Sequence, residues 1–147
     1  MEGQKPQVGI GVLVFRDGKV LLGRRKGSHG SGQYGGPGGH LEYMESPQEC
    51  AEREIREETG ITVCNIRFLC LTNLLKRYVP KHYIDIGMVA DWESGELPDE
   101  PLEPEKCEYW DWYDLDDLPT PLFGAVGNYI QAYKTAGNLF PNNYFTD

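Results

Sequence analysis

The stretch that decides the reading runs from Gly39 to Ile61, GHLEYMESPQECAEREIREETGI. Local rules make its middle a helix. Ser46 is a good N-cap, Pro47 suits the first helical position, and Glu49, three residues after the cap, completes a capping box. Gly60 follows the last helical residue and can close the helix in a left-handed turn. Between the caps, Ala51, Ile55 and Thr59 recur every four residues and form a narrow, mostly apolar stripe. The acidic residues work against this order. Glu54, Glu57 and Glu58 are three and four apart, so they share one face within an arc of about 100°. Like charges at such spacings repel, and Glu57 and Glu58 also meet the negative end of the helix dipole. A divalent cation would turn the repulsion into attraction. Hard ions such as Mg²⁺ prefer oxygen ligands and share their shell with waters and substrate phosphates.

The plainer alternative is a solvated acidic face, with Arg53 reaching Glu57 and Glu52 reaching Arg56. The preceding loop argues against it. Tyr34-Gly35-Gly36-Pro37-Gly38-Gly39-His40 is too rich in glycine to pack well, and its backbone can approach a ligand closely.

Gly39, then five residues, Glu45, then seven residues and Arg53-Glu54-Ile55-Arg56-Glu57-Glu58-Thr59-Gly60-Ile61 resembles the Nudix box of the Nudix hydrolases at every fixed position. The resemblance implies a loop-helix-loop, residues 39–61, that binds Mg²⁺ or Mn²⁺ and hydrolyses a nucleoside diphosphate linked to a further group. It implies Glu54, Glu57 and Glu58 as metal carboxylates and Gly38 as a carbonyl donor. Arg53 and Glu45 become structural partners that brace the box, and Gly39 lies on the substrate side. The segments LLGRRKGS, PGGHLEYMES, ECAERE and EPEKCEYWDWYDLDDLP extend the likeness over most of the chain. They are similar to the MutT-like group, which includes plant cytosolic enzymes and an animal nucleotide-pool diphosphatase. One departure is the pair Gly35-Gly36, where relatives carry larger residues beside the base pocket.

A length of 147 residues suits one domain, 1–147, which would bury about 70% of the surface its unfolded chain exposes. The net charge of −9 argues against a nucleic-acid partner or an anionic membrane. An acidic chain that takes an anionic substrate needs cations or a local basic patch to bridge the two. The four cysteines form no C-x-x-C pair and read as free thiols in a reducing cytoplasm. With no apolar run of membrane-spanning length and nothing like a signal peptide, the expected location is cytoplasmic.

Met1 to Gln7 reads as a polar tail. Val8 to Phe15 and Val20 to Arg24 read as strands around a two-residue Asp17-Gly18 turn. Gly9 and Gly11 suit close packing or the substrate side. In the basic cluster Arg24-Arg25-Lys26, alternation lets one or two residues face a site. The resemblance favours Arg25 as the candidate phosphate clamp, against a charged edge that deters strand pairing. Gly27 to Gly32 reads as a mobile glycine-serine loop. After the box come strands over Thr62 to Leu75 and His82 to Trp92. On the second, Tyr83, Asp85 and Gly87 share a face. Tyr83 and Asp85 are substrate-side candidates, Asp85 as an acceptor for a purine edge or else a solvent-facing residue. A Pro/Glu-rich connection, Glu93 to Lys106, leads to an aromatic strand over Glu108 to Tyr113. Trp110 and Trp112 point the same way there, for core packing or for stacking on a base. Leu118 to Lys134 opens with two prolines and then reads as an amphipathic helix with Phe123, Val126, Ile130 and Tyr133 on one face. Asn138 to Asp147 reads as a tail.

The order predicts an α+β fold of the Nudix kind, an α/β/α sandwich around a mixed sheet. The expected reaction is Mg²⁺-dependent hydrolysis of a (deoxy)nucleoside triphosphate, of an oxidised or modified purine in one version, to monophosphate and pyrophosphate by metal-activated water. Glu57 or Glu58 is the base within the box; Glu108, then Glu105, are the candidates outside it. Alternatives are an ADP-ribose or nucleotide-sugar pyrophosphatase, a prenyl-diphosphate phosphohydrolase, and a nucleotide-sensing module without catalysis. A homodimer through the first strands or the last helix is compatible with the pattern.

Overall fold

A computed structural model describes residues 4–27, 29–136 and 143–147. Strands β1 (Gln7–Arg16) and β2 (Lys19–Arg25) form the expected hairpin. Asp17 and Gly18 both take positive φ, 51° and 80°, as a two-residue primed turn requires. The glycine loop contributes two short strands that the sequence reading left as loop, β3 (Tyr34–Gly35) and β4 (Gly38–His40). Helix α1 (Pro47–Thr59) follows, with the Ser46–Glu49 capping box formed and Gly60 closing it at φ 76°. Strands β5 (Thr62–Leu74) and β6 (Tyr83–Ser94) are an antiparallel pair, and β7 (Cys107–Asp114) is the aromatic strand.

Helix α2 spans Val126–Thr135, so it starts three residues after Phe123, the first residue of the apolar face read from the sequence. Pro119 and Pro121 precede it and Gly124 takes φ 58°, so the backbone cannot enter a helix earlier. Phe123 N–H donates to the Tyr34 carbonyl instead, at 2.8 Å. The last residues are not a tail. Tyr144–Thr146 form β8, parallel to β5, and the Asp147 carboxylate accepts from the backbone N–H groups of Leu75, Lys76 and Arg77. Of the residues read as tail or mobile loop, 1–3, 28 and 138–142 lie outside the described residues, whereas Gln7 is already paired with Tyr83.

The sheet order is β3-β2-β1-β6-β5-β8, with β4 also on β1 and β7 also on β2. The β1–β6 and β5–β8 pairs are parallel and the other pairs antiparallel, so the sheet is mixed. Alternation along β1 sorts its side chains between two cores. Ile10, Val12 and Val14 join Cys50, Ala51 and Ile55 of α1. Leu13 joins Val126, Tyr129 and Ile130 of α2 on the other face. Trp110 and Trp112 both pack against the α1 core. The fold is therefore the expected α+β arrangement, with a helix on each face of the sheet. Among the described residues no helix is long and apolar enough to cross a membrane, and all four cysteines are free thiols.

Candidate active site

Helix α1 brings two of the three candidate metal carboxylates to one cleft. Glu54 and Glu58 line a cavity of about 1070 Å³ together with Gly38 and Gly39. The Glu58 carboxyl is turned inward, and its pKa stands well above the usual carboxylate range. Loss of solvent is the first cause and the adjacent Glu54 carboxylate the second, with Glu103 adding to the push. One backbone group opposes them, the Gly38 N–H, which donates to Glu58 Oε1 at 3.4 Å. Gly38 thus meets the helix through its N–H.

Glu57 is placed differently. Its side chain is 53% exposed and lies 3.4 Å from Arg53. Among the described residues no three His, Cys, Asp or Glu side chains stand close enough together to hold an ion. Arg53 accounts for part of this. Its Nε and Nη2 donate to both Glu45 oxygens, at 2.7 and 3.0 Å, and its Nη1 donates to Glu54 Oε1 at 2.7 Å. A third contact reaches the His40 carbonyl at 3.3 Å. One guanidinium therefore ties helix to loop. Its hydrogen bonds hold Glu45 down at about 2, so Glu45 stays ionised and the brace is lost only as pH falls towards that value.

The residues fit a divalent ion. The nearby donors are all hard oxygens, as Mg²⁺ requires. The backbone leaves room: a Cβ on Gly39 would lie 2.5 Å from the Glu54 carboxyl carbon. Glu57 follows Glu54 by three residues on the helix, a spacing that sets the two on one face.

A basic group shares the cleft. Arg25, Lys26, Arg77, Lys81 and Lys106 all line it. The Arg25 guanidinium lies 3.7 Å over the Phe123 ring, and its Nε donates to the His29 carbonyl at 3.2 Å. Burial lowers its pKa and Glu58 opposes that. Arg24 faces away, as strand alternation demands, and pairs with Glu108 at 2.6 Å.

That pair corrects one expectation. Neither Glu108 nor Arg24 lines the cleft; Glu103 and Glu105 do. The cause is a register shift between Arg24 and Arg25, where Tyr109 and Cys107 are the partners and Glu108 is the extra residue. A bulge of this kind re-aims a side chain, here onto Arg24. Glu105 was the second candidate from sequence. Glu103 was missed, and its only signal is its place in a long Pro/Glu-rich connection.

The far end of the cleft is aromatic. Tyr83 stacks on His40 with ring centroids 5.6 Å apart, and Tyr78 meets Tyr83 edge-on at 5.5 Å. Asp85 lines the same cleft and is not solvent-facing. Burial raises it to about 6, opposed by the hydrogen bond that Tyr129 donates to Oδ2. Gly11 and Gly87 make that contact possible: a Cβ on Gly87 would lie 2.7 Å from the Tyr129 ring, and one on Gly11 would collide with its hydroxyl. Tyr129 was missed from sequence, although it lies three residues after Val126 on the apolar side of α2.

A family model described as NUDIX domain matches residues 5–133. The chain is 34% identical over 108 residues to an NAD-capped RNA hydrolase NudC of Pseudomonas aeruginosa, covering 74% of this chain and 36% of that one. The chain therefore spans about a third of the length of that relative. It is 32% identical over 120 residues to an ADP-ribose pyrophosphatase of Methanocaldococcus jannaschii, covering 80% and 68%. It is 30% identical over 108 residues to an oxidized purine nucleoside triphosphate hydrolase of Danio rerio, covering 74% and 66%. A crystal structure of a MutT NUDIX hydrolase from Burkholderia pseudomallei superposes with a TM-score of 0.79 at 34% identity, covering 86% of this chain and 97% of that one. With the capped box helix and its two inward carboxyls already in view, these likenesses place the chain in the Nudix family.

Proposed function

We propose that this chain hydrolyses a (deoxy)nucleoside triphosphate to the monophosphate and pyrophosphate, with Mg²⁺ or Mn²⁺ held by Glu54, Glu58 and Glu57. The observation that carries the reading is the Glu54–Glu58 pair, enclosed at the foot of a glycine loop in a cleft that also presents Arg25. An ion bound there would neutralise phosphate charge and acidify water. The chain's own residues do the rest. Arg53 fixes Glu54 and braces the loop through Glu45. Arg25 is a fork-shaped donor for phosphate oxygens, and Lys26 and Lys106 add positive charge beside it. Glu103 and Glu105 are two cleft carboxylates outside the box and can accept a proton from the attacking water. Tyr78 and Tyr83 offer flat surfaces for a base.

A cleft of about 1070 Å³ stands at the upper end of small-molecule sites, and Arg77 and Lys81 supply further cations. These features suit a two-part substrate such as ADP-ribose, which is the second reading. The test is a panel of dGTP, ADP-ribose and geranyl diphosphate with Mg²⁺, scoring pyrophosphate against orthophosphate and monophosphate products. Pyrophosphate release from dGTP at the highest kcat/KM is the expected result. Turnover of ADP-ribose alone would replace the first reading with the second, and turnover of geranyl diphosphate alone would remove both.

A further inference from the structure

We propose that Asp85 reads the base of the substrate and selects an edge with adjacent N–H donors, as guanine presents through N1–H and its 2-amino group. The inference rests on the nucleotide reading above. Asp85 stands on β6 between Ile84 and Ile86, where a carboxyl is costly unless something compensates it. Compensation from the protein is partial. Tyr129 donates to Oδ2, and among the described residues no other hydrogen bond reaches the Asp85 carboxyl. Oδ1 stands over Gly9, its partner residue on β1, where a Cβ would lie 3.6 Å away. This oxygen is left for the cavity that Asp85 lines.

The carboxyl is also fixed in orientation. Tyr129 is 3% exposed and reaches Asp85 only because residues 11 and 87, opposite each other on β1 and β6, are both glycine. Side chains at either position would push the ring away. Two glycines, a buried tyrosine and a half-buried aspartate thus form one arrangement. Its product is an immobilised acceptor beside the aromatic wall of Tyr78 and Tyr83, not a better-packed core.

An ionised carboxylate only accepts. The guanine edge offers it two neighbouring donors. Hypoxanthine offers one, and adenine sets an acceptor nitrogen beside its amino group. Oxidation at C8 leaves the guanine edge unchanged, so Asp85 selects the base and not its oxidation state.

The experiment compares kcat/KM for dGTP, dITP and dATP with Mg²⁺ in the wild type and in Asp85→Asn, alongside calorimetric binding of dGMP and dIMP. In the wild type, dGTP exceeds dITP by about 10- to 100-fold, the size of a lost hydrogen bond to a charged group. In Asp85→Asn the gap collapses, because the amide can turn a donor towards the base. Equal kcat/KM for dGTP and dITP in the wild type overturns the proposal, and that comparison needs no variant to fold. Should no nucleotide be turned over, the hydrolytic reading fails separately. Asp85 is then judged by binding: a dGMP preference over dIMP that Asp85→Asn erases sustains it, and equal affinities or no binding sink it.

Discussion

A negative charge on Glu58 stands in a place that resists it. Solvent is largely withdrawn, and Glu54 and Glu103 add repulsion. The neutral isostere should therefore cost the ion-free protein nothing. Glu58→Gln is expected to keep or raise Tm without metal, yet to cut Mg²⁺-dependent hydrolysis by more than the roughly 10- to 100-fold that losing a metal's outer-shell partner costs. Full turnover in that variant would remove Glu58 from the site. Asp85 gives a second prediction, on pH. Burial holds it at about 6 against an ordinary 3.8, so between those values the folded chain keeps a proton that the unfolded chain releases. Stability must then fall as pH rises from about 4 to about 6, by roughly 3 kcal/mol from this group, and level off above. Asp85→Asn cannot titrate and should lose that slope. Denaturant unfolding of both proteins at about pH 4.5 and about pH 7 measures the difference, and parallel slopes would contradict it.

The box helix was legible because its instructions are local. Ser46, Pro47, Glu49 and Gly60 each act within one turn, and the cap and closing bonds all form. Ser46→Ala should cost about 1 kcal/mol, or about 2–4 °C in Tm for a chain of this size. The rate should not change, since Glu54 and Glu58 lie two or more turns from the cap. Calorimetry and initial rates check both halves, and a rate loss matching the stability loss would mean that the cap holds the acids too. The Asp17-Gly18 hairpin was readable for the same reason. Features set by distant partners were not. The Glu108 bulge depends on the register of β7 against β2, which no local pattern encodes. The late start of α2 depends on Phe123 bonding to Tyr34 across the chain. Strand β8 forms only because β5 has a free edge to offer. Asp85 was ambiguous from parity alone, because its meaning is set by Tyr129, 44 residues away.

The whole molecule carries a net charge of −9, yet Arg25, Lys26, Arg77, Lys81 and Lys106 line one cleft beside Glu54 and Glu58. Such a cleft attracts phosphates through its cations and an ion through its acids. The second attraction can be separated from general screening of an acidic surface. Specific binding to the folded state at 100 times Kd stabilises by about 2.7 kcal/mol, which for this size is on the order of 5–10 °C in Tm. NaCl at matched ionic strength only screens, and should give a smaller shift that lacks saturation. Mg²⁺ titration should therefore raise Tm along a saturating curve, chelator should reverse it, and Glu58→Gln should flatten it to the NaCl response. Equal shifts from Mg²⁺ and matched NaCl would place the effect on the surface as a whole, and the two carboxyls would then need another reason to face each other. A saturating shift that survives Glu58→Gln would instead move the ion elsewhere on the protein, leaving the cleft to its cations.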